Sequence, residues 1–600
     1  MRTLLSFVKK VGSIKKENLK KVVSSFDQKQ LFIFRILIGI SLISTLLLLN
    51  KLNQKFLVSI PDVGGSITEG IIGTPVQINP VLAISDADED MVSIVYSGLM
   101  RKDINGDFIP DIAKNYTISE NGTVYTFVLR NDVFFHDGKK LTIDDVLFTV
   151  SKMQDKEIKS PKNIVWDGVV VEKINEETIS FTIKQPYISF IENMNFGILP
   201  KHLWENVDSN QFSVSSMNIK AVGSGPYKID SVDKDSDGIP REYTLSAFKK
   251  FNLGKPNVKN LHIVVYPNEI ELVAALKNGN IDQAGGISPE NVRTFKNENF
   301  TINETTLPRI FGLFLNISKS KILSDQNNIE ILNKIINKQE IIDEVLYGHG
   351  DSINHPIPKT ILNTKNPSNS ISNTDAVDLL EKNGWQLNES GTREKSSTVV
   401  TTKTITKKVG KKTVTEKVST KSKGAVSVFE ISITTGDTPE LKSASLNIKK
   451  QLENYGIKVD IKTYESGQLS QIIRNRDYEI LLFGQVVNSE SDLYSFWHSS
   501  QKTDPGLNIA LYSNEKVDAL LSGAQKNTNK DERTEIYKNI ANEFTKNTKA
   551  IFLYSPKYIY ITRSNIKNTQ TSNIINTADR FSAIYTWYAK ENYVWKIFTK

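Results

Sequence analysis

The sequence predicts a mixed α/β body that follows a single membrane-spanning helix. Residues 444–461 show both periodicities: apolar residues first recur at helical spacing, and after Gly456 they alternate as in a strand. A glycine at this position supplies the left-handed residue with which many helices end. Residues 329–348 repeat the pattern of a helical apolar face followed by a glycine. Helices that alternate with strands favour an α/β fold over a helical bundle or an all-β sandwich.

Two local signals sharpen this prediction in the N-terminal third. The segment Thr142–Asp145 resembles a capping box ahead of an apolar helical run, and we expect a helix to begin there. Residues 125–138 contain a strand core, two turn sites and a pair of phenylalanines, a pattern that predicts a β-hairpin.

The N-terminal region predicts a membrane anchor. Residues 31–49 are apolar except for Arg35, and as a helix they would extend about 28 Å, the thickness of one hydrocarbon core. The basic residues before this run place residues 1–30 in the cytoplasm by the positive-inside rule. Residues 50–61 are then a tether, and the body lies outside the membrane, as in a single-pass protein of the cell membrane.

A cleaved signal peptide is the alternative explanation for the same run. The basic region is long for a signal peptide, the apolar run exceeds a usual signal core, and no small-x-small cleavage site follows. These features favour an uncleaved anchor.

Charge and cysteine content exclude several functional classes. The net charge of +8 is concentrated in residues 1–30, with eight Lys or Arg against two acidic residues, and in residues 393–423, with ten against two. The remaining body is mildly acidic, which argues against binding of nucleic acid. Because the chain has no cysteine, it forms no disulfide, thiolate metal site, thiol nucleophile or lipidated cysteine.

Residues 392–425 form an insertion of a different composition, made almost entirely of Thr, Lys, Val and Ser. It is either a long β-hairpin that turns near Gly410 or a disordered basic loop. In both cases it has little to bury and is exposed to solvent. Contact with an anionic cell-wall polymer or with lipid headgroups is an open functional possibility.

Twelve short motifs occur in a fixed order along the body. They are Asn79–Pro80, Tyr96–Leu99, Pro110–Ala113, Tyr125–Arg130, Phe135–Gly138, Asp144–Val146, Leu199–Leu203, Gly223–Lys228, Leu276–Asp282, Asn383–Trp385, Gly456–Val459 and Leu553–Pro556. In this order they resemble the bacterial family 5 extracellular solute-binding proteins, the group that binds oligopeptides, dipeptides and nickel.

The resemblance implies a two-lobed, periplasmic-binding-protein-like α/β fold of the class II (cluster C) type, with three subdomains and a hinge. The first lobe would be discontinuous and the second continuous, with the following limits: residues 62–100, 221–308 and 551–600 for lobe I, 101–220 for a subdomain inserted into it, and 309–550 for lobe II with the 392–425 insertion.

The resemblance also implies the function. Such a protein captures a small solute, here with a peptide as first candidate, between its lobes and presents it to the permease subunits of an ABC-type importer, as a monomer and without a cofactor. A binder of a different solute, and a surface scaffold or sensor that reuses the fold, are the alternatives. An enzyme is not expected, because the serine-hydrolase, zinc-protease, P-loop and dinucleotide motifs are absent.

Ligand contacts are expected in four places by this resemblance. The predicted ligand-binding residues are Gln485, Val487, Asn488, Tyr494, Trp497, Phe311, Gly285 and Gly286. For Tyr494, Trp497 and Phe311, a place in the apolar core is the alternative and the commoner one for such residues. Asn488 occupies the position where peptide-binding relatives carry an aspartate for the peptide's ammonium group. An amide supplies no compensating charge, so a free N-terminus is less favoured here unless Glu490 or Asp492 substitutes.

A calcium loop is the one metal site that the sequence suggests. Asp233, Asp235 and Asp237 precede Gly238 in the D-x-D-x-D-G order, but Thr244 stands where a calcium loop carries glutamate. An acidic β-turn is the alternative, and the six histidines show no paired spacing that would predict a nickel site.

Overall fold

The computed structural model of the protein describes residues 24–598 except 187, 296–298, 363–372, 410–411, 528, 547–548 and 571. Most of the predicted cytoplasmic segment 1–30 and the predicted hairpin turn at Gly410 therefore lie outside the described residues. The chain divides into two units, Met1–Asp62 with Lys590–Lys600, and Val63–Ala589.

The strands fall between residues 57 and 595. In chain order they are β1 (Leu57–Asp62), β2 (Ser66–Ile72), β3 (Met100–Lys102), β4 (Phe108–Pro110), β5 (Ala113–Ile118), β6 (Val124–Leu129), β7 (Val170–Lys173), β8 (Thr178–Thr182), β9 (Tyr227–Lys234), β10 (Pro240–Ala247), β11 (Asn260–Tyr266), β12 (Gln283–Gly285), β13 (Phe300–Thr306), β14 (Arg309–Leu315), β15 (Gly350–Ser352), β16 (Gln386–Leu387), β17 (Arg393–Val409), β18 (Lys412–Val428), β19 (Glu430–Gly436), β20 (Lys458–Tyr464), β21 (Ile480–Val486), β22 (Ala550–Arg563) and β23 (Lys590–Trp595).

The α-helices alternate with these strands. They are α1 (Gln28–Phe56), α2 (Asp86–Val95), α3 (Ile143–Gln154), α4 (Asn163–Trp166), α5 (Lys201–Trp204), α6 (Glu269–Asn278), α7 (Pro289–Val292), α8 (Gln326–Ile335), α9 (Lys338–Val345), α10 (Asn373–Lys382), α11 (Pro439–Glu453), α12 (Ser466–Asn475), α13 (Asp492–Trp497), α14 (Glu515–Lys526) and α15 (Lys530–Lys546).

In the N-terminal unit, helix α1 is long and apolar enough to cross a membrane, and a signal sequence would have the same properties. The helix begins at a capping box in which the Asp27 side chain and Gln30 bond each other's backbone N–H groups. It extends beyond the predicted span 31–49 at both ends. The predicted tether 50–61 is ordered: its first residues continue the helix, and β1 then pairs antiparallel with β23.

The main sheet of the body runs β20-β19-β21-β14-β22-β12-β2-β11-β10-β9, with β13 and β15 also paired to β22. Strand β22 is the element that both halves of this sheet share. Its first residues pair with β14, from Phe314 opposite Ala550 to Phe311 opposite Tyr554. Its later residues pair with β13 and β12.

The hydrophobic core separates into two lobes at the same place. Two apolar clusters of the body use residues up to Leu307 and from Tyr558 onward, and two others use residues between Ile310 and Tyr554. The chain thus crosses between lobe I and lobe II at residues 307–310 and 554–558. The body is a two-lobed α/β fold, as the sequence predicts, while the predicted subdomain limits stay predictions.

Local predictions differ in their outcome. Ala444, Ile448 and Leu452 are buried on α11, Gly456 has φ of +80°, and β20 follows, as expected. The capping box at Thr142 begins α3.

The hairpin predicted over residues 125–138 is wrong. Strand β6 pairs with β5 and β8 instead, in a four-stranded sheet of the order β5-β6-β8-β7. Phe135, which would have lain in the second strand, is fully buried in the core of lobe I.

A buried ionic network fastens the C-terminal part of lobe I to its sheet. The guanidinium group of Arg580 lies 3.0 Å from Glu69 on β2 and 2.6 Å from Asp90 on α2. The hydroxyl of Tyr560 on β22 also donates to Glu69, over 2.8 Å. Burial raises the pKa of Glu69 to about 7 although Arg580 opposes this shift.

The basic insertion contains a hairpin of two long strands, so the first of its two predicted forms is confirmed. Strands β17 and β18 pair antiparallel from Glu394 opposite Val428 to Val409 opposite Lys412, with one irregularity near Ser396. At its base, the short strand β16 extends the sheet.

Candidate functional site

The candidate site is the face where lobe II meets the subdomain inserted into lobe I. Strand β21 and helix α13 enclose the loop 487–491 in lobe II. The 3-10 helix Ile188–Asn195 faces this loop from lobe I, and the hydroxyl of Ser491 donates to that of Ser189 over 3.5 Å. The N–H of Val487 donates to the carbonyl of Pro308, at a crossing between the lobes, over 2.8 Å.

Gln485 and Asn488, the first predicted ligand residues, adjoin this face. Gln485 is buried at the end of β21, and its Oε1 has no hydrogen-bond partner among the described residues. A buried amide oxygen without a donor is costly, so a ligand N–H that reached it would remove that cost. Asn488 is exposed, and its backbone N–H donates to Asp492 over 2.7 Å.

The predicted aromatic residues are placed less favourably for contact with a ligand. Trp497 lies in the core of lobe II, where its ring packs 4.7 Å from that of Phe544. Phe311 stacks on Tyr554 at 4.9 Å and covers Gly484, where an added Cβ would lie 2.8 Å from its ring. Phe311 and Tyr494 are both half-buried, and Tyr494 stacks on His498 at 4.2 Å. Of the three, only Trp497 is fully enclosed in the core, so Phe311 and Tyr494 are the two that stay accessible to a ligand.

Gly285 and Gly286 lie at the end of β12, next to β22. An added Cβ at Gly285 would meet the hydroxyl of Tyr558 at 2.1 Å, so this glycine is required by packing inside lobe I. Gly286 has φ of +71° and open space around its Cα. A ligand could therefore approach the backbone closely at Gly286. At Gly285, packing against Tyr558 already explains why the residue is a glycine.

The two carboxylates expected to substitute for the missing aspartate already have partners. Glu490 forms an ion pair with Arg533 of α15 at 2.8 Å. Asp492 accepts the backbone N–H groups of Asn488 and Ser489 over 2.7 and 3.1 Å and so shapes the loop. Burial nevertheless raises the pKa of Asp492 above its ordinary value.

Glu192 is the residue at this face that sequence analysis missed. It lies on the 3-10 helix of lobe I, and the described residues provide it with neither a hydrogen bond nor an ion pair within 4 Å. Burial raises its pKa to about 7; Lys102 and Arg533 oppose the shift, and the charges of Glu490 and Asp492 add to it. Its pKa depends on charges of the other lobe, which no local sequence pattern reports.

The predicted calcium loop does not gather a metal site. Asp235 accepts the N–H groups of Asp237 and Ile239 and pairs with Arg241 at 2.8 Å, as in an acidic turn closed by an arginine. The described residues contain no group of three or more His, Asp or Glu side chains placed to hold a metal ion. Asp233, Asp235 and Asp237 stay predictions as ligands.

Two cavities lie elsewhere in the body. One of about 190 Å³ lies within lobe I, but its charged lining groups are paired, with Lys102 on Asp579 at 2.8 Å and Lys162 on Glu89 at 3.4 Å. The first cavity also presents the buried hydroxyl of Ser582, which has no hydrogen-bond partner among the described residues. A second, polar cleft of about 560 Å³ is lined by β13 together with Lys359, Thr360, Gln570, Ser572 and Asn573.

The chemistry of the interlobe face is that of an acceptor. Glu192 is acted on by the charges of Glu490 and Asp492 from lobe II, and Gln485 precedes the same loop by two residues along the chain. These two acceptors fit a ligand that donates hydrogen bonds and carries positive charge, such as the ammonium end of a peptide.

A family model for the bacterial extracellular solute-binding proteins, family 5, matches residues 107–506, two thirds of the chain. The chain belongs to this family. Among curated relatives, the oligopeptide-binding protein AppA of Bacillus subtilis is 25% identical over 83% of this chain and 87% of the relative. The dipeptide-binding protein of Escherichia coli is 22% identical over 78% and 84%. Family membership assigns a solute-binding role.

Solved structures agree with this assignment. NikZ from Campylobacter jejuni in complex with Ni(L-His) superposes with a TM-score of 0.61 at 26% identity, over 87% of this chain and 99% of that one. HbpA2 from Haemophilus parasuis gives a TM-score of 0.71 at 19% identity, over 88% of this chain and 100% of that one, and supports the fold alone.

The pH dependence of protein stability tests the raised pKa of Glu192. The pKa of Glu192 is raised from 4.5 to about 7 in the folded protein, so its ionisation destabilises the fold progressively between these pH values and fully above them. We expect Glu192→Gln to stabilise the protein at pH 8, by on the order of 3 kcal/mol if the whole shift is relieved. At pH 4 the effect should vanish.

The measurement is the thermal unfolding midpoint of both proteins at the two pH values. Glu120→Gln, at an exposed turn of the same subdomain, is the matched control and should change neither midpoint. An equal effect of Glu192→Gln at pH 4 and pH 8 would contradict the electrostatic explanation.

Proposed function

We propose that the protein captures a peptide between its two lobes and delivers it to an ABC-type importer, without catalysing a reaction. Two acceptors support this most strongly: Gln485 Oε1, which is buried without a hydrogen-bond partner among the described residues, and the Glu192 carboxylate, whose pKa is raised by burial. A peptide supplies both missing components, since its backbone N–H groups can satisfy the amide oxygen and its ammonium group the carboxylate.

Glu192 alters the ligand preference expected from Asn488. With an amide at position 488 and both nearby carboxylates of lobe II engaged, the negative charge for the ammonium group comes from lobe I. The contact then forms only when the lobes are together, so binding of a free N-terminus favours closure. Because ammonium binding favours ionised Glu192, affinity should rise with pH through about 7.

A thermal-shift screen of short peptides, followed by calorimetry of the best ligand in free and N-acetylated forms, tests this function. A ligand at a hundredfold excess over Kd stabilises the folded state by about 2.7 kcal/mol. Glu192→Gln should weaken binding of the free peptide by roughly tenfold or more and leave binding of the acetylated peptide unchanged, because only the free peptide loses a charge-assisted contact. Asn488→Asp should strengthen binding of the free peptide.

Glu120→Gln again serves as the control. Equal weakening of the binding of both peptide forms would contradict the role proposed for Glu192. A response to nickel–amino acid complexes alone would show that the ligand is another solute and not a peptide. No response to any solute would favour the scaffold or sensor alternative.

We further propose that α1 is an uncleaved anchor with its N-terminus in the cytoplasm, so that a monomeric body works beside the importer's permease subunits. The length and hydropathy of this helix and the basic residues before it support the proposal. Protease added to intact cells should then remove the body and leave the anchor with residues 1–30 in the membrane. A soluble mature form that begins after residue 50 would show that the segment is a signal peptide.

A further inference from the structure

The hairpin β17–β18 separates its residues into two chemically different faces. From Thr398 opposite Lys423 to Val409 opposite Lys412 the pairing is continuous, so the ribbon extends about 40 Å over these twelve pairs. Since alternate residues of a strand belong to opposite faces, the register assigns every position to one face or the other. The assignment depends on the backbone alone.

One face, here called the Lys–Thr face, is polar and carries four lysines with no acid. It consists of Thr398, Val400, Thr402, Thr404, Thr406, Lys408, Thr413, Thr415, Lys417, Ser419, Lys421 and Lys423.

The other face, here called the Val–Lys face, combines five aliphatic β-branched residues with three lysines and one glutamate. It consists of Val399, Thr401, Lys403, Ile405, Lys407, Val409, Lys412, Val414, Glu416, Val418, Thr420 and Ser422. Three of its cross-strand pairs join a valine to a lysine: Lys403 with Val418, Lys407 with Val414, and Val409 with Lys412.

This pattern is more than is needed to keep an exposed ribbon soluble. Lysines protect exposed strands from aggregation, but charges of both signs would do the same. Here the cations far outnumber the acids, with ten Lys or Arg against two Glu over residues 393–423. Five of the six aliphatic residues in these pairs also lie on the Val–Lys face.

We propose that the Val–Lys face of this hairpin docks on a surface of anionic lipid. Aliphatic residues that alternate with lysines suit the boundary between headgroups and acyl chains, since the apolar positions enter the boundary and the ammonium groups stay among the phosphates. Each lysine near an anionic bilayer contributes to binding, and salt screens that contribution.

Two other occupants fit less well. A second copy of the same face would bring six lysines together, with only two glutamates between them. A soluble anionic polymer would interact with the lysines but would make no use of the aliphatic positions.

The test measures sedimentation of the full chain with added lipid vesicles. The chain is held in nanodiscs of neutral phosphatidylcholine, so that its apolar helix is already embedded, and vesicles with or without phosphatidylglycerol are supplied. We expect binding to the anionic vesicles only, reversed by high salt. Lys403→Gln, Lys407→Gln and Lys412→Gln together should lower the partition constant by on the order of tenfold or more.

A matched triple variant separates local from general charge effects. Lys255→Gln, Lys462→Gln and Lys526→Gln remove three exposed lysines outside the hairpin and should change the partition constant by less than about twofold. Val414→Thr with Val418→Thr keeps the charge and the strand preference and should also weaken binding. Replacement of residues 396–424 by a Gly/Ser linker should abolish binding without altering the unfolding midpoint of the body.

Equal losses in the two lysine variants would overturn the proposal. Full binding by the valine variant, together with competition by soluble polyglutamate, would likewise overturn it and would identify a polyanion as the partner. Binding to neutral vesicles at the same strength would show that charge has no role.

Discussion

Strand β22 is hydrogen-bonded in both lobes, and the arrangement of the body depends on this one shared element. Its residues before Tyr554 belong to the sheet and apolar core of lobe II, and those from Tyr558 onward belong to lobe I. Residues 307–310 make the second crossing alongside it. A joint of two adjacent strand segments resists sliding of the lobes but permits a change of angle between them, as in hinge closure.

The interlobe face takes its properties from this joint. The loop 487–491 directly follows β21, which pairs with β14 just after the crossing at residues 307–310. The 3-10 helix that carries Glu192 is rooted in lobe I, where Phe190 and Met194 are buried. The loop 487–491 and the 3-10 helix are each held within their own lobe. A change of hinge angle would therefore alter the distance between them without changing the structure around either one.

Sequence patterns predicted the parts of this structure that depend on neighbouring residues. The helix and strand around Gly456 and the start of α3 follow from spacing and caps, and the order of the family motifs indicated the two-lobed fold. The hairpin predicted over 125–138 failed because both edges of β6 are occupied by β5 and β8, a tertiary pairing that outweighs the turn residues. Glu192 was missed for a related reason: the charges of lobe II that act on its pKa, those of Glu490, Asp492 and Arg533, lie about three hundred residues away in the chain.

The central claim is that the lobes close on a peptide through the joint at β22. Since the chain has no cysteine, Glu120→Cys and Lys526→Cys place one spin label on an exposed position of each lobe without further changes. The direct measurement is the distribution of label-to-label distances by pulsed electron resonance, with and without a saturating pool of short peptides. The account predicts a shorter and narrower distribution with the peptides, largely lost in Glu192→Gln. An unchanged distribution in the double-labelled protein would contradict it.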